Sequence, residues 1–334
     1  MDDLLFKDAS AAANFDALDV CDLCVHYPVR EGFRRRLLKA VNGVTINIRA
    51  GECLGLVGES GCGKSTLAQA IMGLVPITSG SIRVAGQDVT DAVQRDPLSQ
   101  ARNVQMVFQD PFASLNPRQT VRQALAGPLR LHGMTNRDEI EARVVDMLAR
   151  VGMKADAADR RPHEFSGGQR QRICIARALI IQPKLLVCDE PVSALDVSIR
   201  AQIINLLLQL KDELGIALLM ISHDLGVVEH MSDRIAVMYL GRIVEEGIWH
   251  DIFTAPAHPY TQALIASIPD PIAPAETLRR MKGEAPSALR PPPGCAFNPR
   301  CPVAFDACRL GDVPYFTPLA QAHRVRCHLL SQGQ

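Results

Sequence analysis

Three short apolar runs punctuate the first two-thirds of the chain: Cys53–Val57, Leu185–Cys188 and Ala217–Ser222. Each is continuous rather than alternating, as expected of a strand buried on both faces. After the first, Leu67, Ala70, Ile71 and Leu74 recur at helical spacing; after the second, Ile199, Ile203, Leu206, Leu207 and Leu210 do the same. Alternating strands and helices predict an α/β domain around a mostly parallel sheet. From about 121 to 179 no strand pattern is visible, which predicts a helical insertion. An earlier strand is expected over Val20–Val25, with Cys21 and Cys24 in the core. The longest apolar run, Gly215–Ile221, is strand-sized and far short of the roughly 18 residues of a membrane span.

Proline marks the domain boundary. Eleven of the 22 prolines fall between Pro256 and Pro302, ending in the triplet Pro291–Pro293. Proline fixes φ and removes a donor, so this stretch is expected to be an extended linker. The expected division is a mobile segment over 1–19, a main domain over 20–265, and a Pro-rich linker with a small Cys-rich module over 266–334. With 334 residues, the chain has room for about two domains at roughly 150 residues each. Lys+Arg and Asp+Glu are both 36. This balance argues against a protein that binds nucleic acid through bulk charge. The run Arg34–Arg36 is expected to be a solvated loop face. The acidic N-terminus lacks a secretory signal pattern, so the ten cysteines are expected to remain reduced in the cytosol.

The strand Cys53–Val57 runs into Gly58-Glu59-Ser60-Gly61-Cys62-Gly63-Lys64-Ser65-Thr66. This is G-x-x-x-x-G-K-[ST] in its strand–loop–helix setting. Its glycines let backbone N–H groups turn toward phosphate oxygens, and the following helix adds its positive end. Lys64 is expected at the β/γ-phosphates and Ser65 on Mg²⁺. A second strand ends in Asp189-Glu190, at the edge where open α/β sheets bind ligands. Asp189 is a candidate Mg²⁺ ligand, and Glu190 a candidate to polarise an attacking water.

Phe165-Ser166-Gly167-Gly168-Gln169-Arg170-Gln171-Arg172 resembles the signature motif of ATP-binding-cassette (ABC) ATPases. Gln109, in Met106–Asp110, looks like that family's Q-loop. Ser193–Asp196 looks like its D-loop, and His223 like its switch histidine. The resemblance spans about 20–265. It implies an ABC ATPase cassette with ATP and Mg²⁺, in which two cassettes dock head to tail over two nucleotides. Glu190, His223 and Gln109 would then be catalytic, with Gln109 also near Mg²⁺. Ser166, Gly168 and Gln169 would act on the partner's nucleotide, Asp196 would be among the nucleotide-binding residues, and Tyr27 would stack on adenine. Cys62, inside the loop, is expected to be a thiol whose alkylation inhibits the ATPase and which ATP protects.

Further text narrows the resemblance. Gln109–Pro117, His258–Leu264 and Gly294–Pro302 with Cys308 and Cys327 look like dipeptide/oligopeptide importer ATPases. Tyr27–Val29 and Asp110–Pro117 look like the second of the two ATPase subunits in such systems. The resemblance implies a second ATPase subunit, two permease subunits and an extracytoplasmic peptide-binding protein, with this chain peripheral on the cytoplasmic face of the membrane. Import of nickel, glutathione or an opine-like cargo is an alternative, and a soluble non-transport ABC ATPase a more distant one. The spacing C-x5-C-x6-C-x18-C of Cys295, Cys301, Cys308 and Cys327 leaves iron–sulfur, zinc and free thiols open. Some relatives hold a [4Fe–4S] cluster here, which makes that the leading expectation. His323 and His328 are expected on the surface.

Overall fold

The computed structural model describes residues 16–32, 34–90, 96–268, 283–311, 313 and 323–331. Two sheets organise it. The first is antiparallel, in the order β2-β1-β4-β5, from β1 (Leu18–Glu31), β2 (Arg34–Ile48), β4 (Ser79–Val84) and β5 (Gln87–Asp88). The second has seven strands in the order β11-β10-β9-β3-β8-β7-β6. Its members are β3 (Cys53–Val57), β6 (Val104–Val107), β7 (Leu185–Asp189), β8 (Ala217–Ile221), β9 (Arg234–Tyr239), β10 (Arg242–Ile248) and β11 (Arg324–Val325). Strands β6, β7, β8, β3 and β9 run parallel, while β10 and β11 pair antiparallel at one edge. The α/β domain with a mostly parallel sheet expected from the apolar runs is therefore present.

The continuous apolar strands serve two cores at once. Successive side chains of a strand face opposite ways. Leu186, Cys188, Leu218 and Met220 accordingly join a cluster with the helices on one side. Leu185, Val187, Leu219 and Ile221 join a second cluster with Leu67, Ile71 and the antiparallel sheet on the other. Cys53, Cys174 and Cys188 are buried as small apolar groups; burial pushes the Cys53 thiol up to about 12 and that of Cys174 to about 11. The expected helical insertion holds the helices Val121–Leu131, Arg137–Arg150 and Gly167–Leu179. The first and third begin with capping boxes, Thr120 with Gln123 and Ser166 with Gln169.

Several expectations are corrected. Cys21 is exposed and Cys24 only partly buried. The register of β1 slips between Val20 and Leu23, with Asp22 at φ 45°, so Leu18, Val20, Leu23 and Val25 take the core positions. The run Arg34–Arg36 is not on a loop: β1 and β2 continue through Arg30↔Arg35, with a turn at Gly32, so Arg35 and Arg36 lie on a strand. Leu74 lies beyond the helix Lys64–Ile71 and is exposed. The N-terminal segment called mobile falls largely on residues outside those described, and β1 already begins at Leu18. Residues 269–282, in the middle of the expected linker, are also outside them.

The described C-terminal residues pack on the cassette. Strand β11 extends the main sheet, with Val325 opposite Glu245 and Arg324 opposite Glu246. Both glutamates are buried but paired. Glu246 accepts from Arg234 and Arg324, and Arg234 also donates to Glu52 at 2.9 Å. Glu245 accepts from the Ala257 and His258 amides at 2.7 and 2.9 Å, and His323 Nε2 lies 2.7 Å away. Burial alone would raise the Glu245 carboxyl, but these bonds, His323 foremost, hold it below its usual range. His323 is thus buried, against the expectation of a surface position.

His258 caps the helix Pro259–Ile265 by accepting the Tyr260 amide on Nδ1 at 3.0 Å. Its ring is buried, which pushes its pKa down to about 4 from 6.5. The unfolded chain therefore binds a proton that the folded chain refuses. This contribution is fully present above about pH 6.5 and is lost as pH falls toward 4. His258→Asn keeps a capping acceptor and removes the titration. Urea unfolding at pH 7.5, 6 and 5 should show a shallower stability loss in the variant, by up to about 3 kcal/mol over the full window. Equal slopes in the two proteins would refute this assignment.

Candidate functional site

The parallel strands deliver the candidate residues to one edge of the sheet. The phosphate loop leaves β3, Ser222-His223 leaves β8, Asp189-Glu190 closes β7, and Phe108-Gln109 leaves β6. The spatial order β3-β8-β7-β6 thus brings all four segments together.

Two glycines of the phosphate loop are dictated by close approach. A Cβ on Gly58 would lie 2.2 Å from Met238 O, and one on Gly63 would lie 2.1 Å from Ala40 O. Gly63 also has φ 111°, a conformation that side chains disfavour. The loop is tied from behind: Gly241 N–H donates to Cys62 O at 2.7 Å, and Asn42 N–H donates to Gly241 O at 2.8 Å. Lys64 is buried and folds over the loop, donating Nζ to Gly58 O at 2.6 Å and Glu59 O at 3.0 Å. Ser60, Gly61 and Ser65 are exposed, and Thr66 is half-buried.

Ser65 hydrogen-bonds the Asp189 carboxylate, joining the two candidate Mg²⁺ ligands. Burial pushes the Asp189 carboxyl up, and the Ser65 bond opposes this. A hydroxyl and a carboxylate side by side are the hard oxygen donors that Mg²⁺ takes. Beside them, Gln109 Nε2 donates to Glu190 Oε2 at 3.1 Å, and His223 Nδ1 lies 2.9 Å from Glu190 Oε1. The three residues expected to be catalytic therefore form one hydrogen-bonded unit centred on Glu190. Glu190 sits at φ 50°, unusual for a side chain, and its amide is held by Ile221 O at 2.9 Å. Ser193 Oγ donates to Glu190 O at 3.0 Å, fixing the turn that follows.

The signature residues stand elsewhere. Ser166 caps the helix Gly167–Leu179, and its side chain and that of Gln169 satisfy each other's amides. Gly168 is where that helix meets Ile199; a Cβ there would lie 2.5 Å from Ile199 Cγ2. Among the described residues no hydrogen bond or ion pair joins Ser166, Gly168 or Gln169 to the phosphate loop. Asp196 is exposed at the start of the helix Val197–Leu214, beside an 80% exposed Val197. Tyr27, opposite Leu38 on β2, is half-buried against the second cluster.

Sequence reading missed how the Q-loop segment is bound to the signature helix. The Arg170 guanidinium lies 3.9 Å from the centre of the Phe112 ring, and Arg177 Nη1 donates to Ser114 O. The arginines are visible in sequence, but nothing there specifies these partners.

The cysteine expectations do not hold. Cys62 is only 4% exposed, with Lys64 Nζ 3.7 Å from its sulfur. Burial raises its pKa, and Lys64 offsets this only in part. At the C-terminus, the Cys295 amide donates to Cys308 O at 2.8 Å, which brings two of the four cysteines near each other. Burial, reinforced by the neighbouring thiols, raises Cys295 and Cys301 and pushes Cys327 up to about 11. Among the described residues no group of three or more His, Cys, Asp or Glu side chains is arranged to hold a metal ion. The expected [4Fe–4S] cluster on Cys295, Cys301, Cys308 and Cys327 thus finds no support here, and all ten cysteines are free of disulfides.

Known proteins carry the same pattern. Residues 41–193 match the family described as "ABC transporter". Residues 244–308 match "Oligopeptide/dipeptide transporter, C-terminal region". The "Oligopeptide transport ATP-binding protein AppF" of Bacillus subtilis is 48% identical over 96% of this chain and 100% of its own length. The chain belongs to the ABC transporter ATP-binding family. The "Dipeptide transport ATP-binding protein DppF" of Escherichia coli is 48% identical over 87% of this chain and 88% of its own. Among solved structures, cbiO1 from Clostridium perfringens, part of the ABC transporter complex cbiONQ, superposes with TM-score 0.63 and 31% identity. It covers 72% of this chain and 91% of cbiO1. The cassette MJ0796, solved as a dimer with ADP and Pi, gives TM-score 0.61 at 27% identity, over 70% of this chain and 98% of that one.

The environment of Cys62 has a chemical consequence. With N-ethylmaleimide at pH 7.5, the exposed Cys21 should be modified at least about tenfold faster than Cys62, with or without ATP. Peptide mass mapping over time reads both sites. Rapid, ATP-protected modification of Cys62 would contradict the burial seen here.

Proposed function

We propose that this chain hydrolyses ATP to energise import of di- or oligopeptides, as one ATPase subunit of an ABC transporter. The observation that carries the reading is the Gln109–Glu190–His223 unit beside the phosphate loop. The peptide cargo is supported by the relatives' names and by the matched C-terminal region.

In this reading the amides of Gly58 and of residues 60–66, with the Lys64 ammonium, bind the β- and γ-phosphates, and Tyr27 stacks on adenine. Ser65 and Asp189 would hold Mg²⁺, with Gln109 as a further candidate ligand, and the ion would supply charge neutralisation on the phosphate oxygens. Glu190 accepts a hydrogen bond from the attacking water and takes its proton as the oxygen bonds to the γ-phosphorus and the bond to ADP breaks. His223, held on Glu190 Oε1, orients that carboxylate and meets the γ-phosphate. Gln109, on Oε2, ties the same carboxylate to the segment that reaches Phe112 and the signature helix.

Among the described residues no hydrogen bond or ion pair joins Ser166 to its own chain's phosphate loop, which supports a second cassette completing the site. Ser166, Gly168 and Gln169 would present the positive end of their helix to the partner's γ-phosphate, with Asp196 at the contact. Two permease subunits would dock in the groove between residues 113–117 and the helix Val121–Leu131, which Arg177 also lines. Exposed Phe108 and Phe112 offer apolar contacts nearby. An extracytoplasmic peptide-binding protein would supply cargo on the far side. No described helix is long and apolar enough to cross a membrane, which agrees with a peripheral subunit on the cytoplasmic face.

Glu190→Gln keeps the hydrogen-bonding shape but removes the base. It should bind ATP as tightly as the parent and lose about 10²-fold or more in turnover, in line with general-base contributions. Phosphate-release assays and equilibrium ATP binding on the assembled transporter measure the two. Near-normal turnover would remove Glu190 from this role.

A further inference from the structure

The C-terminal residues meet the phosphate loop at one ion pair. Phe297 is buried among aromatics, 5.4 Å from the centres of both Tyr239 and Tyr260. The Arg300 and Cys301 amides both donate to Phe297 O at 3.0 Å, so the chain makes a helical turn here. Such a turn sets i and i+3 on one side, and the anchored Phe297 thereby delivers Arg300. Its Nη1 donates to Glu59 Oε2 at 2.7 Å and its Nη2 to Glu59 Oε1 at 2.9 Å. This two-pronged contact is the geometry that a guanidinium makes and an ammonium cannot. The Arg300 side chain is 6% exposed and that of Glu59 25%. The Glu59 amide is held as well, donating to Tyr260 Oη at 2.9 Å.

Glu59 is the second residue of the phosphate loop, and its carbonyl accepts from Lys64 at 3.0 Å. A carboxylate is an odd choice in a loop that receives polyphosphate. Left unpaired and half-buried, it would repel the incoming anion and compete for the loop's own cation, Lys64.

We propose that Arg300 is a positioning residue for the nucleotide site, neutralising and fixing Glu59 so that docking of the C-terminal region sets the affinity of the phosphate loop for ATP. The proposal rests on the reading of that loop as a nucleotide site. It makes the region around Phe297 and Arg300 a clamp on the loop. The loop and clamp are 241 residues apart in the chain.

The test uses the full chain and four variants: Arg300→Gln, Arg300→Lys, Glu59→Gln, and Arg300→Gln with Glu59→Gln. ATP affinity is measured by calorimetry, KM and kcat by phosphate release, and folding by thermal melts. Arg300→Gln should weaken ATP binding and raise KM about tenfold, with a smaller fall in kcat. Arg300→Lys should recover part of the loss, because it restores charge without the fork. The double variant should bind ATP within about twofold of Glu59→Gln, because the charge that Arg300 opposes is gone. Glu59→Gln alone should bind ATP at least as tightly as the parent. That arm stands even if Arg300→Gln fails to fold.

Unchanged affinity in a folded Arg300→Gln would overturn the proposal. So would a double variant as weak as Arg300→Gln, since Arg300 would then act by packing alone. Weaker binding by Glu59→Gln would overturn it too. Failure of the parent chain to bind ATP would overturn both this proposal and the nucleotide-site reading. Normal parent binding with no effect at Arg300 would overturn this one alone.

Discussion

Glu190 can touch Gln109 and His223 at once because β7 lies between β6 and β8. The parallel ladder sets this. Each of the three strands ends at the same edge, and the residue one or two positions past its end meets the neighbouring strand's equivalent. A parallel pair keeps a fixed stagger between adjacent strands, so the spacing of the three side chains follows from backbone hydrogen bonds. The same ladder puts β3 beside β8, and hence the phosphate loop beside His223. A slip of one residue in any of these strands would also exchange its two core faces. The apolar packing that stabilises the sheet therefore guards the alignment of the site.

Local strain sits where the ladder ends. Glu190 holds a left-handed backbone, with its amide bound by Ile221 O and its carbonyl by Ser193. Such a conformation persists only where surrounding bonds over-determine it. Here it turns the carboxylate out of the strand and between its two partners. Gly63 achieves a comparable turn without a side chain, and its close approach to Ala40 O admits none. The two turns differ because one position must carry chemistry and the other must present only backbone.

Polar groups buried at the C-terminal edge bind the remote part of the chain to the cassette. Glu245 and Glu246 occupy a strand interior, which would be costly were they not paired. Their partners, His323, Arg324 and Arg234, bring β11 into the sheet. Phe297 and Arg300 make the second attachment. The region reaches the phosphate loop through charge and aromatic contact.

Read alone, the residues specify the α/β class and the position of the phosphate loop and make Asp189 and Glu190 candidates; Gln109 and His223 are singled out by the family resemblance. These are local properties: continuous apolar runs specify buried strands, and the spacing of glycine, lysine and serine specifies the loop. Only the tertiary structure decided what depends on contacts between distant segments. The bulge at Asp22 moved Cys21 and Cys24 out of the core, a slip invisible in an apolar run. Burial of Cys62 by the surrounding strands opposes the reactivity expected from its place at a helix start. His323 found Glu245, because side-chain convergence depends on the path of the chain between them. Glu59 and Arg300 carry no signal for each other in the sequence. Charge pairing is set by distance in space, and that distance exists only once Phe297 has docked.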